Sequence, residues 1–344
     1  MSDLNIAQVM AGAEHGGAET FFETLGLALA RDGVRQHFYV RAHAARMARL
    51  RESGAPVTGL RFGGRADFFT PFHLKRAFRA DPPTAVLTWM NRAADKCPTT
   101  DAPKIARFGG YYDLKHYRRH DYAVGITPGL CAYLRDGGFA PERVHFIPNF
   151  CRLGQEEAVD RASLDTPEEA TVVLALARLH PVKGLDVLLH AIADLPGTYL
   201  WIAGEGPIRA ELEKLSTDLR IASRVRFLGW RTDRTGLMRA ADICAFPSRY
   251  EPNGTVVMEA WAHGVPLVST ASAGPSEHIR DGRDGLLTPI DDAKALAGAL
   301  ARVATHPDLA AGLAGEGLAR IEAEFSEQKI VARYRELFEQ VARR

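Results

Sequence analysis

The sequence predicts an α/β protein built of two doubly wound, Rossmann-like domains facing a central cleft, and three observations carry that expectation. At 344 residues the chain is long for a single hydrophobic core. Short apolar runs of strand length alternate with amphipathic helical stretches, as in a parallel sheet with crossover helices. The alternation stops at a polar segment near the middle and then starts again.

The first half opens on Asn5-Ile-Ala-Gln-Val-Met10, which reads as a buried strand. A glycine turn, His15-Gly16-Gly17-Ala18-Glu19, leads into an amphipathic helix through about Arg31. Strand-like runs follow at Gln36 to Arg41, Ala85 to Met90, Lys104 to Phe108 and Tyr122 to Thr127. The acidic segment Gly154 to Ala170, with Pro167, reads as a linker. Beyond it come Thr171 to Ala177, Thr198 to Ala203, Arg224 to Leu228, Asp242 to Phe246, Pro266 to Thr270 and Gly285 to Thr288. Glu327 to Arg344 sets Ile330, Val331, Tyr334, Leu337 and Phe338 at helical spacing, as in a helix docked on a core. The expected domains are 1–155 and 165–325, with helix 327–344 packed back on the first.

Composition, 46% hydrophobic and 25% charged, is that of a soluble globular enzyme. No run approaches membrane-spanning length, and the apolar stretch Ile6 to Met10 is too short for a signal peptide. The expected location is the cytoplasm, extending to the inner face of the cytoplasmic membrane. Cys97, Cys131, Cys151 and Cys244 lack metal-ligand spacing and read as buried thiols without disulfides. The net charge of +1 hides an asymmetry: residues 1–152 carry 21 Lys+Arg against 14 Asp+Glu, or +7, which leaves −6 for the rest. Compositional drift and a basic half facing an anionic membrane or acceptor explain this equally well. No nucleic-acid partner is expected.

Candidate chemistry clusters at predicted strand ends, where ligands of doubly wound sheets bind. Gly16 and Gly17 precede a helix whose N-terminal amides and dipole suit phosphate, although a purely structural turn explains them equally well. Arg178-Leu-His-Pro-Val-Lys-Gly184 puts two cations, Arg178 and Lys183, where a departing diphosphate would gain charge. No Asp-x-Asp sequence is present to hold a metal there. Gly204-Glu205-Gly206 is another tight turn before a helix. In the segment Phe246 to Ala260, Pro252 and Gly254 keep Glu251 out of the following helix. Asn253 is expected to cap that helix, leaving the amides near Thr255 and Val256 open to phosphate. Glu259, beside Val256, Val257, Ala260 and Trp261, is a carboxylate in apolar surroundings that wants hydroxyl donors such as those of ribose. Phe227 to Trp230 is a candidate stretch for backbone recognition of a base.

These segments, in this order, resemble the retaining GT-B glycosyltransferases grouped as family four, or glycosyl transferases group 1. The likeness rests on Gly16-Gly17, Arg178 with Lys183-Gly184, Gly204-Glu205-Gly206, Glu251 with Glu259-Ala260, and Gly264-Val265-Pro266. It implies that Arg178 and Lys183 hold the donor diphosphate and that Glu259 holds the ribose. It further implies that Glu251 and the loop through Asn253, Gly254, Thr255 and Val256 meet the transferred sugar. Glu251, Arg178 and Lys183 are then the catalytic set, with Gly16, Gly17, Gly204 and Glu205 also on the donor. Neither metal nor cofactor is implied beyond the nucleotide-sugar itself. Many members carry a histidine where this chain reads Phe108-Gly-Gly-Tyr-Tyr-Asp-Leu-Lys-His116. Asp113 and His116 are the acceptor-side candidates there, against a stronger reading of Lys115, His116, Arg118, Arg119 and His120 as a solvated basic turn.

The resemblance implies transfer of a hexose from a UDP- or GDP-sugar to a saccharide or lipid-linked acceptor of a cell-envelope glycan, whether lipopolysaccharide, capsule or glycolipid. A sugar-nucleotide epimerase, or a nucleotide-sugar-binding protein without transfer activity, are the alternatives.

Overall fold

The computed structural model describes residues 4–14, 16–64, 66–151 and 156–343. His15 of the glycine turn, Gly154 and Gln155 at the start of the acidic segment, and Arg344 at the end of the last helix lie outside the described residues. The chain divides into two units, Met1–Asn149 with Glu327–Arg344, and Phe150–Ser326.

In the first unit, strands β1 (Asn5–Met10), β2 (Arg35–Arg41), β3 (Val57–Leu60), β4 (Ala85–Trp89), β5 (Lys104–Phe108), β6 (Tyr122–Gly125) and β7 (Val144–Phe146) alternate with helices. These are α1 (Gly17–Arg31), α2 (Ala44–Arg51), α3 (Phe69–Ala80), α4 (Met90–Lys96) and α5 (Pro128–Asp136). The sheet runs β3-β2-β1-β4-β5-β6-β7, with every pair parallel. Crossover helices cover both faces, so the central strands β1, β4 and β5 are buried at every position. Polar groups in that core are linked in a chain: Trp89 donates to Gln8, Gln8 to Gln36, and Gln36 to the Gly26 carbonyl, at 2.8–2.9 Å. Gly26 lets α1 lie close on β2, because a Cβ there would sit 2.7 Å from the Phe38 ring.

The sequence analysis did not identify β3 and β7. They are the two edge strands, and each buries a single residue, Leu60 or Val144, so neither makes an apolar run.

The second unit repeats the plan with β8 (Thr171–Leu176), β9 (Thr198–Ala203), β10 (Val225–Gly229), β11 (Ile243–Phe246), β12 (Leu267–Thr270) and β13 (Leu286–Thr288). Its helices are α6 (Leu185–Ala193), α7 (Arg209–Asp218), α8 (Arg234–Ala240), α9 (Thr255–Ala262), α10 (Ala273–His278), α11 (Ala293–Thr305) and α12 (Pro307–Arg320). The parallel order is β10-β9-β8-β11-β12-β13, with one apolar layer under α6 and α11 and another under α8 and α9. The order reverses between β8 and β11, as it does between β1 and β4 in the first unit. Adjacent strands at these points send their following loops to opposite faces, which opens a crevice at their carboxyl ends.

The acidic segment read as a linker is instead tied to the second unit. Arg161 donates to the carbonyls of Ala240, Glu168 and Ala170 and pairs with Asp242 at 2.8 Å. Thr166 is buried and accepts from the Trp201 indole. One arginine and one threonine convert a polar stretch into a packed strap, which polarity alone does not disclose.

Helix α13 (Glu327–Ala342) belongs to the first unit and buries Ile330, Val331, Tyr334, Leu337, Phe338 and Val341. Arg335 bonds Asp32 beyond α1, and Arg31 pairs with Glu327. No described helix is long and apolar enough to cross a membrane. Phe338→Ala should destabilise the first unit by about 3–5 kcal/mol through an unfilled cavity. Chemical denaturation followed by tryptophan fluorescence measures this, and an unchanged midpoint refutes the docking.

Candidate functional site

The second unit's crevice is shaped by backbone packed on backbone. Beyond β8 the chain passes Arg178 and forms a single helical turn, Pro181–Lys183, before α6. The turn beyond β9 lies against it, with the Leu179 amide donating to the Glu205 carbonyl at 3.0 Å. A Cβ on Gly204 would fall 1.9 Å from the Ala177 oxygen, and one on Gly206 2.2 Å from the Leu179 oxygen. Gly184, at φ 62°, leaves the same clearance to the Pro247 oxygen, 2.1 Å for a Cβ. The amides of Arg249 and Tyr250 both point to the Val182 carbonyl. Arg249 then locks the loop through Asp186, Asp291 and the Pro181 carbonyl. These glycines therefore serve loop-on-loop packing. Glu205 is exposed and paired with Arg209 at 2.6 Å. The stretch from Phe227 ends β10 on the same sheet edge, where the Gly229 carbonyl accepts from Gly204.

Packing the loops brings Lys183 to Glu251. The ammonium donates to Oε2 at 2.6 Å, with both side chains about 15% exposed. Oε1 accepts from the amides of Asn253 and Gly254 at 3.3 and 3.2 Å. Glu251 thus braces the loop in front of α9, and the expected Asn253 cap is absent: no side chain caps the helix, and the Asn253 side-chain amide donates to Thr255 Oγ1 at 3.0 Å. The residue at the helix N-cap is Gly254, left-handed at φ 82°. The amides of Thr255 and Val256 have no partner among the described residues, and the α9 dipole points its positive end there. Arg178 is exposed at the end of β8, and its side chain has no partner among the described residues. Buried Ser248 Oγ, Asn253 Oδ1, Ser272 Oγ and His278 Nε2 around this loop also lack partners. Among the described residues, unmet hydrogen-bonding groups are thus concentrated around this loop.

Glu259 lines a cavity of about 160 Å³ with Cys151, Leu176, Arg234, Thr235, Met238 and His263. Its Oε2 accepts from Arg234 at 2.5 Å, and Oε1 has no partner among the described residues. Burial pushes its carboxyl above the ordinary carboxylate range, against the lowering pull of Arg234 and His263. His263 is tethered to the Glu259 carbonyl and to Thr235. Burial raises the Cys151 thiol to about 12, so it lines the cavity without being a nucleophile at neutral pH. The sequence analysis missed Arg234 and His263. Position i+4 from Glu259 was a signal for His263, but nothing local marked Arg234.

In the first unit, the loop after β1 is organised by Glu19, which is buried and accepts from the Ala13 amide at 2.8 Å. Cβ atoms on Gly12 or Gly16 would collide with its carboxylate, while Gly17 faces open space. Arg46 ties the loop down through the Ala13 and Glu14 carbonyls and pairs with Glu23. At the end of β5, Arg107 is only 2% exposed, stacks 4.4 Å from the Trp89 ring and donates to Asn149. Its Nε is unpartnered, and Gly109 leaves space beside it. This buried cation without a carboxylate went unremarked in the sequence analysis.

Asp113 is exposed, caps the turn Leu114–Tyr117 and pairs with Lys115 at 2.5 Å. His116 bonds Asp95 at 2.8 Å. His120 does not belong to a solvated turn: it bonds Thr88 at 2.8 Å, and burial lowers its pKa to about 4. The larger hollow of about 610 Å³ lies at the amino ends of β4 and β5 and contains none of these residues.

The family described as "Glycosyl transferases group 1" matches residues 170–306, which include Arg178, Lys183, Arg234, Glu251, Glu259 and His263. Two relatives from Rhizobium meliloti (strain 1021) match nearly end to end. The lipopolysaccharide core biosynthesis glycosyltransferase LpsE is 38% identical over 94% of this chain and 95% of its own length. LpsD, described in the same words, is 33% identical over 99% of this chain and 100% of its own. Among solved structures, Anabaena Alr3699/HepE in complex with UDP and glucose superposes with a TM-score of 0.83 at 21% identity, covering 98% of this chain and 100% of that one.

The folded-state shift of Glu259 has a definite sign. An acid whose pKa is raised by folding contributes full stability below its unfolded pKa and loses it as pH rises through the folded value. Arg234→Gln removes the compensating cation, so it should cost about 1–3 kcal/mol near pH 8 and less near pH 5. Glu259→Gln should flatten that dependence. Urea denaturation of both variants at the two pH values is the check, and parallel curves count against the pairing.

Proposed function

The chain belongs to the glycosyl transferases group 1, and from that premise we propose that it is a retaining, metal-independent hexosyltransferase. It takes a UDP- or GDP-sugar as donor and a saccharide or lipid-linked acceptor of the lipopolysaccharide core. The acceptor class follows the two relatives described as lipopolysaccharide core biosynthesis glycosyltransferases. UDP is the first nucleotide to test, because the Anabaena protein was solved with it.

The observation that carries the reading is the Lys183–Glu251 pair set beside the free amides of Thr255 and Val256 at the point where strand order reverses. In this reading the donor diphosphate takes the α9 amides together with Arg178 and Lys183. These cations neutralise the charge that develops as the bond between C1 and the leaving phosphate oxygen breaks. Glu251 steers Lys183 and offers its carboxylate to hydroxyls of the transferred hexose. Ribose hydroxyls donate to the open Oε1 of Glu259, while Arg234 holds Oε2. The acceptor hydroxyl oxygen bonds C1 on the face the phosphate leaves, and its proton passes to the departing phosphate oxygen, so configuration is retained. The second unit is the donor domain and the first the acceptor domain, with Asp113 and His116 as acceptor-side candidates.

UDP should raise the thermal midpoint of the wild-type protein, and 2′-deoxy-UDP should do so less. Glu259→Ala should abolish the difference between the two nucleotides. If the variant still discriminates, the ribose assignment is wrong.

Lys183→Ala and Glu251→Gln should each lower turnover with a UDP- or GDP-hexose by about 10²-fold or more. Because the two groups touch, the double variant should deviate from additivity by about 0.5–3 kcal/mol. Steady-state kinetics, with NMR of the product anomer, decide the matter. Inverted anomer overturns retention, and an epimerised donor sugar without transfer overturns the reading as a whole.

A further inference from the structure

Three phenylalanines stand in solvent where the first unit's chain turns from β3 into α3. Phe68, Phe69 and Phe72 are 78%, 61% and 63% exposed, while the neighbouring Phe62 and Phe78 are buried. The exposure is not random along the helix. Thr70, Leu74 and Phe78 form the inward stripe against the sheet, and Phe69 and Phe72 stand on the opposite face with Lys75, Arg76 and Arg79. The face therefore begins aromatic and continues basic. Arg61 lies over the Phe69 ring at 5.9 Å, so cation and aromatic are presented together.

Asp101 shares the lining of the hollow of about 610 Å³ with Lys75 and Arg79, which leaves the face net basic. The one carboxylate between residues 61 and 80 is Asp67, and it is turned inward, accepting from the Gly63 and Thr70 amides and the Thr70 hydroxyl. Exposed phenylalanine is costly in water and gains by entering an acyl-chain boundary, while flanking cations gain near an anionic surface. We infer that the α3 face, with Phe68, Phe69 and Phe72 inserted and Lys75, Arg76 and Arg79 against headgroups, docks the protein on an anionic lipid bilayer. A second copy of the chain is a poorer occupant, because a two-fold contact would bring two sets of the same three cations together. The aromatic start of the patch follows the carboxyl end of β3, whereas Lys75 and Arg79 line the hollow at the amino ends of β4 and β5.

The inference concerns the surface and does not depend on the donor chemistry proposed above. The test is flotation of the full chain with vesicles of phosphatidylcholine alone or mixed with phosphatidylglycerol, at low and high salt. The wild type should float with the anionic vesicles, and salt should release it. Phe68→Ser, Phe69→Ser and Phe72→Ser together should weaken binding by at least about tenfold. Lys75→Glu, Arg76→Glu and Arg79→Glu together should erase the preference for anionic lipid. Retained stabilisation by UDP in these variants certifies the fold and keeps this result separate from the donor assignment. Wild type that stays in solution overturns the inference, and so does a triple-serine variant that floats normally. Wild type that is dimeric in light scattering and becomes monomeric in the triple-serine variant assigns the face to a second copy instead.

Discussion

Everything at the second unit's crevice depends on how closely three loops approach one another at the carboxyl ends of β8, β9 and β11. The approach is limited by main-chain oxygens, and at Gly184, Gly204 and Gly206 a single added carbon would overlap one. Only with those positions bare can the Arg178 loop rest on the Glu205 turn and receive the Arg249 and Tyr250 amides at Val182. Lys183 then reaches Glu251, which orders the two amides in front of α9. The glycines act through the backbone: they set the distance between Lys183, Glu251 and the α9 amides.

Two of the crevice's cations are paired with its two glutamates. Lys183 holds Glu251, and Arg234 holds Glu259, each through a single carboxylate oxygen. This protects partly buried charges from standing alone, which would be expensive. Among the described residues it also leaves an acceptor atom on Glu259, a cation on Arg178 and two amides on α9 without partners.

The first unit uses similar means with different residues. Its glycine loop closes over a buried carboxylate, Glu19, and is held by a buried cation, Arg46, so Gly12 and Gly16 make room for the protein's own side chain. Arg107 lies between the Trp89 and Phe21 rings, an environment that keeps a guanidinium buried without a counter-ion. Where many members of the resembled family carry a histidine and this chain reads Gly109-Gly110, the structure sets this cation beside Gly109.

Much of the architecture was legible in the order of residues. Hydrophobic periodicity is local, so both series of central strands, α1 and the docked helix α13 could be read from it, and only the edge-region strands β3 and β7, with one buried residue each, escaped. The likeness of the spaced glycines, cations and glutamates to one family was legible for the same reason, since it depends on spacing along the chain. Partnership was not legible. Lys183 and Glu251 are 68 positions apart, Arg234 and Glu259 are 25 apart, and Arg161 binds a strand 81 positions away. The sequence by itself determined which elements form and in what order. Only the tertiary structure decided which carboxylate meets which cation, because a hydrogen bond of 2–3 Å is set by the approach of loops from distant segments, about which local periodicity carries no information.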